Sequence, residues 1–370
     1  MIVQNFLCEN FRNLHNEKIV FSNGINVLCG DNAQGKTNLI EGLWLFTGGK
    51  SFRGAKDGEL VAFEQPFAKL TTSFYAQQRE QIMQITIHNS RRRMILNDVP
   101  KRSASQVVGC FCAVVFAPNH LMLVKSGPEE RRKFIDAAIC QIQPQYAKIL
   151  AQYQHILSQR NALLKDIPNH RELEDTLEIW NERLSASGTQ IIRYRSAYIQ
   201  KLAARASLFY DGISSTKEQM TTAYQTACCD MEVQTAADIR AAFLQKLNSV
   251  RKNDMLAGFT TVGPHRDDIN IKINGHDAKS FASQGQQRSA VLALKLAEAD
   301  LLGESKGEQP IILLDDVLSE LDTVRQDYLL NRLENRQVFI TCCASDVLIK
   351  LKNRNSQVLK INDGHIFSEG

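Results

Sequence analysis

One stretch of the sequence has the composition and spacing of a phosphate-binding loop. Residues 30–37 follow the pattern G-x-x-x-x-G-K-T, with an apolar run before them and a helical pattern after them. Glycines let backbone N–H groups turn towards phosphate oxygens, and the following helix N-terminus adds positive potential. In such a loop the Lys36 ammonium pairs with the outer phosphates, and the Thr37 hydroxyl can bind Mg²⁺. The stretch predicts a nucleotide site whose contacts are Gly30, Asp31, Asn32, Ala33, Gln34, Gly35, Lys36, Thr37 and Asn38.

Two carboxylates follow an apolar run near the C-terminal end. Residues 311–314 are aliphatic, and Asp315 and Asp316 come directly after them. A buried parallel strand has such a continuous apolar run, and ligands bind at its carboxyl end. We expect Asp315 to hold Mg²⁺, directly or through water, and Asp316 to act as a catalytic base or to orient the attacking water. The alternative is an ordinary strand followed by an acidic helix cap.

A third motif precedes a long amphipathic helix. Ser283, Gln284 and Gly285 combine a hydroxyl, a glycine that permits close backbone approach and a bare helix N-terminus, which together predict a second anion site. Taken alone, S-x-G before a helix is more often a simple N-cap. Its position in the chain between the phosphate loop and the acidic strand end favours a catalytic role for Ser283, in addition to that of Lys36.

Basic residues form two clusters that could contact nucleic acid phosphates. Arg91, Arg92 and Arg93 make the first, with Lys101 and Arg102 near them; the second consists of Lys50, Arg53 and Lys56. Phosphate contacts of this kind give affinity that is independent of base sequence and sensitive to salt. No zinc finger or base-stacking motif is present, so sequence-specific recognition is not supported. The alternative for residues 91–93 is a solvated hairpin tip.

Strand-like and helical patterns alternate around these motifs. Strand-like runs occupy much of residues 2–116, helical periodicity dominates residues 129–255, and strand and helix patterns alternate again from residue 258. We therefore predict an α/β head formed by residues 1–125 and 257–370. Residues 126–256 are predicted to be a helical insertion, the arm, whose long helices form an antiparallel hairpin around residues 168–170.

The composition is that of a globular protein with a hydrophobic core. The chain has 370 residues, 44% of them hydrophobic, and a net charge of +4, which permits DNA binding through a local patch but does not require it. The longest apolar run, residues 110–117, is far too short to cross a membrane, and no secretory signal is evident. The nine cysteines include adjacent pairs that suit neither disulfides nor a zinc site, so reduced thiols in the cytoplasm are expected.

The order of the motifs resembles that of ABC-type ATPase heads, and several longer stretches resemble the RecF family within their SMC-like branch. These stretches are Asn-Phe-Arg-Asn at 10–13, Ser-Phe-Arg at 51–53, Phe-Ala-Pro at 116–118 with Arg131 and Arg132 downstream, Gly-Pro-His-Arg-Asp-Asp at 263–268, and residues 283–288 and 313–322. The resemblance spans the whole chain. It leaves open whether His265 and Arg266 form a structural turn or sense the nucleotide.

The resemblance implies an ATP-dependent homodimer that binds double-stranded and gapped or single-stranded DNA in the nucleoid. The Ser283 motif of one subunit would close over the γ-phosphate held by the other. Arg12 would lie near the phosphates, and Asp322 at the subunit boundary beside the partner's nucleotide. Partners of the RecR and RecO type would help to load recombinase at gaps in DNA repair and replication.

This chain differs from transporter-type ABC ATPases at two positions that help to activate the attacking water. Transporter-type ABC ATPases carry a catalytic Glu where this chain has Asp316, and a His where Thr341, Cys342 and Cys343 occur. Asn119 stands where we expect an acidic pair in the family, and it is a candidate for sensing the metal.

Three other functions fit the sequence less well. A structural DNA tether of the SMC type needs hundreds of heptad residues, whereas the predicted arm is short. A transporter subunit would require the missing His. An ATP-dependent nuclease would require a further carboxylate cluster, and none is evident.

The first prediction is slow ATP turnover, because both departures weaken the activation of water. Steady-state phosphate release should lie well below the roughly 10 per second of a typical enzyme. Turnover in that typical range would contradict the interpretation of this site as a nucleotide switch.

Overall fold

The apolar runs of the sequence form two six-stranded sheets on either side of one helix. The computed structural model describes residues 1–215, 217–230, 235–342 and 356–369. Cys343 lies outside the described residues. None of the described helices is long and apolar enough to span a membrane.

The first sheet is antiparallel and has one buried face. Its strands are β1 (Ile2–Glu9), β2 (Lys18–Val20), β4 (Phe67–Ala76), β5 (Arg79–His88), β6 (Arg91–Leu96) and β7 (Val99–Lys101), in the order β2-β1-β4-β5-β6-β7. Positive φ at both central residues of the turns Gln77-Gln78, Asn89-Ser90 and Asn97-Asp98 matches the twist of tight hairpins. Short hairpins fix the register, so alternate residues of each strand face the core.

The second sheet is mostly parallel and carries the predicted motifs at its carboxyl edge. Its strands are β3 (Ile25–Cys29), β8 (Ala113–Phe116), β12 (Ile311–Leu314), β13 (Val338–Cys342), β14 (Ser356–Asn362) and β15 (His365–Glu369), in the order β15-β14-β3-β13-β12-β8. Only β15 is antiparallel to its neighbour. The ends of β3 and β12 therefore meet at one edge of the sheet, with β13 between them.

Helix α1 (Lys36–Leu45) fills the space between these two sheets. Leu39, Ile40 and Leu43 are fully buried in a core that also contains side chains of both sheets. A helix that is buried on most sides holds the phosphate loop rigidly with respect to the second sheet.

The arm consists mainly of helices, as expected. The helices of the arm and the remaining head are α2 (Pro128–Ile142), α3 (Pro144–Asp166), α4 (Leu177–Ser214), α5 (Ala236–Ser249), α6 (Arg251–Ala257), α7 (Ala278–Phe281), α8 (Gln284–Lys306) and α9 (Thr323–Arg332). Helices α3 and α4 form the predicted antiparallel hairpin, and α4 packs along α8.

One strand interrupts the predicted helical insertion. A third sheet contains β9 (Met220–Gln225), β10 (Asp268–Ile273) and β11 (His276–Asp277), in the order β11-β10-β9. Met220, Thr222 and Tyr224 alternate with exposed residues, which is the period of a half-buried strand and not of a helix. Strand β9 lies within residues 126–256, whereas β10 lies beyond them, so this sheet joins the arm to the head.

Residues 263–267 form a turn at the base of the arm, directly before β10. His265 Nε2 lies 3.1 Å from the Thr260 carbonyl oxygen and Nδ1 lies 2.7 Å from the Tyr153 hydroxyl. Because a carbonyl only accepts hydrogen bonds, Nε2 carries the proton and Nδ1 accepts from Tyr153. Burial lowers the pKa of His265 to about 4, so the ring is neutral at pH 7. The exposed Arg266 stacks on the ring of Phe259.

A buried ion pair fastens the arm helices to the chain that returns to the head. Arg160 Nη1 lies 2.8 Å from Asp254 Oδ2 and donates to Thr260 Oγ1, and both charged side chains are 0% exposed. Arg160 Nε also donates to Asn181 Oδ1 on α4. One guanidinium thus joins α3, α4, α6 and residue 260.

The second prediction is that Arg160→Met lowers the free energy of unfolding by about 3–5 kcal/mol, because the Asp254 carboxylate is left buried without its countercharge. Urea denaturation followed by circular dichroism measures the loss. The matched control is Arg240→Met, which breaks the exposed pair of Arg240 with Glu182 and should cost less than about 1 kcal/mol. Equal effects of the two substitutions would contradict a fastening role for Arg160.

Candidate nucleotide-binding site

The phosphate loop runs from the end of β3 to the start of α1 and depends on two glycines. Gly30 has a φ of 153°, and a Cβ there would lie 2.2 Å from the carbonyl oxygen of Ile361 on β14. Gly35 has a φ of 115°, and a Cβ there would lie 2.9 Å from the Leu14 side chain. Only glycine fits both positions, so the loop can curl with its backbone N–H groups turned inwards.

The Lys36 ammonium lies inside this loop. Its Nζ donates to the carbonyl oxygens of Gly30 at 2.5 Å and Asp31 at 2.9 Å, and the residue is 8% exposed. The backbone therefore already points the charge into the concave side of the loop, where the phosphates of a nucleotide fit.

The two predicted metal ligands lie together. Thr37 Oγ1 donates to Asp315 Oδ1 at 2.8 Å, although 278 residues separate them. Burial raises the pKa of Asp315, and hydrogen bonds from Thr37 and Thr341 oppose this shift. A hydroxyl and a carboxylate are the oxygen ligands that Mg²⁺ prefers, so the residues present fit the ion together with nucleotide phosphates. Within the described ranges, no group of three or more His, Cys, Asp or Glu side chains could hold a metal ion.

Asp316 lies next to this pair in an unusual backbone conformation. Its φ is 50°, its side chain is exposed, and Ser319 Oγ lies 3.0 Å from Asp316 Oδ1. Its backbone N–H donates to Thr341 Oγ1 at 2.7 Å. The carboxylate is thus held beyond the end of β12, where we predicted a base or a water-orienting group.

Arg12 contacts a buried carboxylate that the sequence analysis missed. Glu41 on α1 is fully buried, and its two oxygens accept hydrogen bonds from Arg12 Nε at 3.0 Å and Nη2 at 3.1 Å. The Ser51 hydroxyl also donates to Glu41. Arg12 therefore lies beside the phosphate-loop helix, where Glu41 directs its guanidinium. The available signal was a charged residue among the apolar residues of α1.

Arg53, which we predicted to contact DNA, is exposed and lies beside the phosphate-loop helix. Its Nη1 donates to Asn38 Oδ1 at 2.9 Å and lies 3.7 Å from Glu41, and its charge acts on Asp315. Asn119 Nδ2 donates to the carbonyl oxygen of Phe52 and so holds this loop in place. Asn119 thus contacts the loop that carries Arg53, and its proposed role in sensing the metal stays a prediction.

Ser283, Gln284 and Gly285 lie at the start of α8. Ser283 caps the helix: its Oγ accepts from the Gln286 N–H, and its own N–H donates to Gln286 Oε1 at 2.8 Å. The amide of Gln286 also donates to Glu218, which belongs to the arm. These partners lie outside the phosphate loop.

Asp322 and Gly285 are joined by Arg325. Asp322 caps α9 and pairs with the Arg325 guanidinium, whose Nη2 also lies 3.4 Å from the Gly285 carbonyl oxygen. Hydrogen bonds from Arg325 lower the pKa of Asp322. The predicted residues thus form two groups on one chain: one around Lys36 and Asp315, the other around Ser283 and Asp322.

A cavity of about 420 Å³ lies beside the phosphate loop, and no sequence motif had indicated it. The rings of His15 and His365 stack there with centroids 3.7 Å apart, and His365 Nδ1 lies 2.7 Å from Glu17 Oε1. The side chains that line the cavity are Asn10, Leu14, His15, Asn16, Glu17, Ala62, Phe63, Gln65 and His365. Gly364 donates its N–H to the Gln34 carbonyl oxygen, which joins the wall of the cavity to the loop.

The predicted Arg91–Arg93 cluster is divided between the two faces of β6. Arg91 and Arg93 are exposed, whereas the Arg92 side chain is 9% exposed, lies 2.5 Å from Asp57 and donates to the Gly49 carbonyl oxygen. Successive side chains of a strand point to opposite faces, which explains the division. Lys50 and Lys56 are exposed.

Lys69 joins the exposed arginines on the outer face of the first sheet. Lys69 pairs with Thr86, which pairs with Arg93, and His88 pairs with Arg91. We call the basic group Lys69, His88, Arg91 and Arg93 the outer-face patch.

Comparisons with known proteins agree with this geometry. Residues 2–366 match the RecF/RecN/SMC N-terminal domain family. A DNA replication and repair protein RecF from Alkaliphilus oremlandii is 39% identical over 367 residues, which cover 99% of this chain and 100% of that protein. One from Ruminiclostridium cellulolyticum is 38% identical over 373 residues and covers both chains fully.

Solved structures extend the similarity to three dimensions. The recombination mediator protein RecF with ATP, in the RecFOR pathway, superimposes with a TM-score of 0.91 at 36% identity, covering 100% of this chain and 98% of the other. A second structure of that mediator gives a TM-score of 0.93 at 37% identity over the same shares. The Smc head domain of Pyrococcus furiosus shares the fold, with a TM-score of 0.54 at 15% identity over 99% of this chain and 96% of the other.

Proposed function

This chain belongs to the RecF family of DNA replication and repair proteins, and we propose that two copies of it close around ATP and Mg²⁺ to clamp DNA. The clamp acts as a recombination mediator at gaps and at junctions between single- and double-stranded DNA in the nucleoid. Protein partners of the RecR and RecO type recruit recombinase there. Slow hydrolysis of ATP opens the clamp.

The observation that carries this proposal is the division of the predicted site into two groups. The second sheet places β8 three strands from β3, which is about 14 Å at the usual spacing of neighbouring strands. Helix α8 packs against β8, and the contacts of Ser283 and Gly285 run to Gln286 and Arg325. One chain thus offers a phosphate loop and a separate anion-binding helix N-terminus, so a second copy can supply the missing half.

The group around Ser283 and Asp322 suits the outermost phosphate of ATP. Helix α8 is 23 residues long, and its N-terminus has a partial positive charge. The hydroxyl of Ser283 and the backbone at Gly285 can approach an anion closely. ATP completes both halves, whereas ADP lacks the phosphate that they share. Loss of that phosphate on hydrolysis removes the charge that holds the two copies together.

The cavity beside the phosphate loop suits the nucleoside. Strand β14 lies on the opposite side of β3 from β13 and β12, so the cavity near β14 and β15 faces away from Asp315. A triphosphate with its outer end at Lys36 and Thr37 directs its base towards that side. The stacked rings of His15 and His365 and the exposed Phe63 provide flat surfaces for a base.

Arg53 serves the nucleotide in this proposal, and the outer-face patch serves DNA. The guanidinium of Arg53 is tied to Asn38 and acts on Asp315, so its charge lies where the outer phosphates bind. Lys69, His88, Arg91 and Arg93 lie together on an exposed sheet face, and Lys50 and Lys56 add exposed charge. Such contacts bind the DNA backbone without reading bases.

The arm distinguishes this function from that of a structural tether. Its longest helix, α4, has 38 residues and is about 57 Å long at 1.5 Å per residue. A helix of this length spans a neighbouring DNA segment and does not bridge distant ones.

The third prediction concerns the dimer. With ATP and Mg²⁺ the mass measured by light scattering should double, and with ADP or no nucleotide it should remain that of one chain of 41.7 kDa. Lys36→Met should abolish the doubling because the ammonium in the loop is lost. Ser283→Arg should keep the binding of a fluorescent ATP analogue but prevent the doubling, because the second half is blocked.

A mixture of these two variants provides the sharpest test. Their heterodimer contains one intact composite site, formed by the phosphate loop of the Ser283→Arg chain and the helix α8 of the Lys36→Met chain. Dimers should therefore reappear only in the mixture. Dimers that form without nucleotide and retain duplex DNA unchanged would overturn the proposed clamp.

The fourth prediction concerns DNA affinity. Replacing both Arg91 and Arg93 by Gln should weaken duplex binding and reduce the slope of log affinity against log salt by about 2, since each lost phosphate contact contributes about 0.9. The matched control is Arg92→Gln, which should leave the slope unchanged because that side chain is bound to Asp57. An unchanged slope in the double variant would exclude the outer-face patch as the DNA surface.

A further inference from the structure

Thr341 lies between the carboxylate of Asp315 and the backbone of Asp316 in the nucleotide site. It is 3% exposed, near the end of β13, and strand β13 runs between β3 and β12. Its Oγ1 lies 2.7 Å from the Asp316 backbone nitrogen and 3.3 Å from Asp315 Oδ1.

We propose that Thr341 is a positioning residue that holds Asp315 and Asp316 in the orientation needed for the metal and for hydrolysis. The proposal rests on the function proposed above and adds a residue to the same site. Thr341 acts through the two aspartates, so it need not touch the nucleotide.

The direction of the two hydrogen bonds follows from the chemistry of the groups. A backbone N–H can only donate, so the N–H of Asp316 donates to the hydroxyl oxygen of Thr341. The single hydroxyl proton of Thr341 is then free for Asp315 Oδ1. One hydroxyl therefore links the backbone of Asp316 to the carboxylate of Asp315.

This link determines which oxygen of Asp315 is available. Oδ1 accepts from both Thr37 and Thr341, whereas no hydrogen bond to Oδ2 is found among the described residues. The carboxylate is thereby rotated so that Oδ2 is left for a further ligand. When Thr37 instead binds the ion with its oxygen, Thr341 is the side chain that still fixes this rotation.

The same hydroxyl supports the backbone of Asp316. Its φ of 50° lies in the left-handed region, which is disfavoured for most side chains and which Asp adopts with the help of local hydrogen bonds. Thr341 holds the N–H of Asp316, and Ser319 Oγ donates to the Asp316 carbonyl oxygen at 2.8 Å. Without Thr341, the Asp316 side chain loses its fixed direction beyond β12.

The fifth prediction uses Thr341→Val, which keeps the shape of the side chain and removes the hydroxyl. We expect affinity for a fluorescent ATP analogue without metal to remain within about twofold of the unsubstituted chain, because Lys36 and the loop are intact. Affinity for Mn²⁺ in the presence of nucleotide, measured by electron paramagnetic resonance, should fall about tenfold, as expected for the loss of a hydrogen bond to a charged group. The turnover number should fall with little change in KM.

Two controls separate positioning from general stability. Thr341→Ser retains the hydroxyl and should restore Mn²⁺ affinity to within about threefold. Thr72→Val removes the hydroxyl of another buried strand threonine, whose Oγ1 donates to the Asn5 carbonyl oxygen at 2.8 Å, far from the nucleotide. It should change stability in urea but not Mn²⁺ affinity.

The outcomes distinguish this proposal from the one on which it rests. If the unsubstituted chain binds nucleotide and Thr341→Val matches Thr72→Val in Mn²⁺ affinity and turnover, the positioning role is overturned and the clamp stands. If Thr341→Ser is as impaired as Thr341→Val, the positioning role is also overturned, because the hydroxyl is then not the cause. If the unsubstituted chain binds no nucleotide, both proposals fail.

Discussion

The hydrogen bond between Thr37 and Asp315 depends on the packing of three parallel strands, and the nucleotide site depends on it in turn. Thr37 lies in the first turn of α1, Asp315 directly follows β12, and the two positions are 278 apart in the sequence. They meet because β13 pairs with β3 on one side and with β12 on the other, which brings the carboxyl ends of all three strands to one edge. A shift of one residue in either pairing would turn the side chain of Asp315 away from the loop.

The rest of the molecule holds this edge of the sheet in place, and in our proposal one chain alone does not form a complete site. The buried helix α1 follows the phosphate loop directly and holds its C-terminal end in place. Glu41 on that helix orients the Arg12 guanidinium and lies close to Arg53. The arm contacts the other predicted half through the bond between Glu218 and Gln286. Each half is therefore held within one chain, which is why we propose that a second chain completes the site.

Much of the site could be predicted because its motifs are local. The phosphate loop, the strand before Asp315 and the cap at Ser283 each occupy a few consecutive residues whose pattern has one common structural meaning. Glu41, Thr341 and His365 were missed because their roles depend on partners elsewhere in the chain, such as Glu17, which lies 348 residues before His365. The sequence alone could have placed Arg92 on the opposite face of β6 from Arg91 and Arg93. Arg92, Met94 and Leu96 are alternate residues of the strand, and Met94 and Leu96 are buried. Strand β9 was missed because the helical periodicity of α4 was extended over residues 220–225, which form the strand.

The pairing of β9 with β10 has a consequence for how such a protein can be divided. Strand β10 has β9 on one side and β11 on the other. Cutting out the arm and joining the ends of the head would remove β9, expose the backbone edge of β10 and uncover the apolar side of α8. An unpaired strand edge of this kind forms backbone hydrogen bonds with other chains, so the shortened head would aggregate in solution. The arm is consequently part of what keeps the ATPase soluble, and it cannot be treated as a removable accessory.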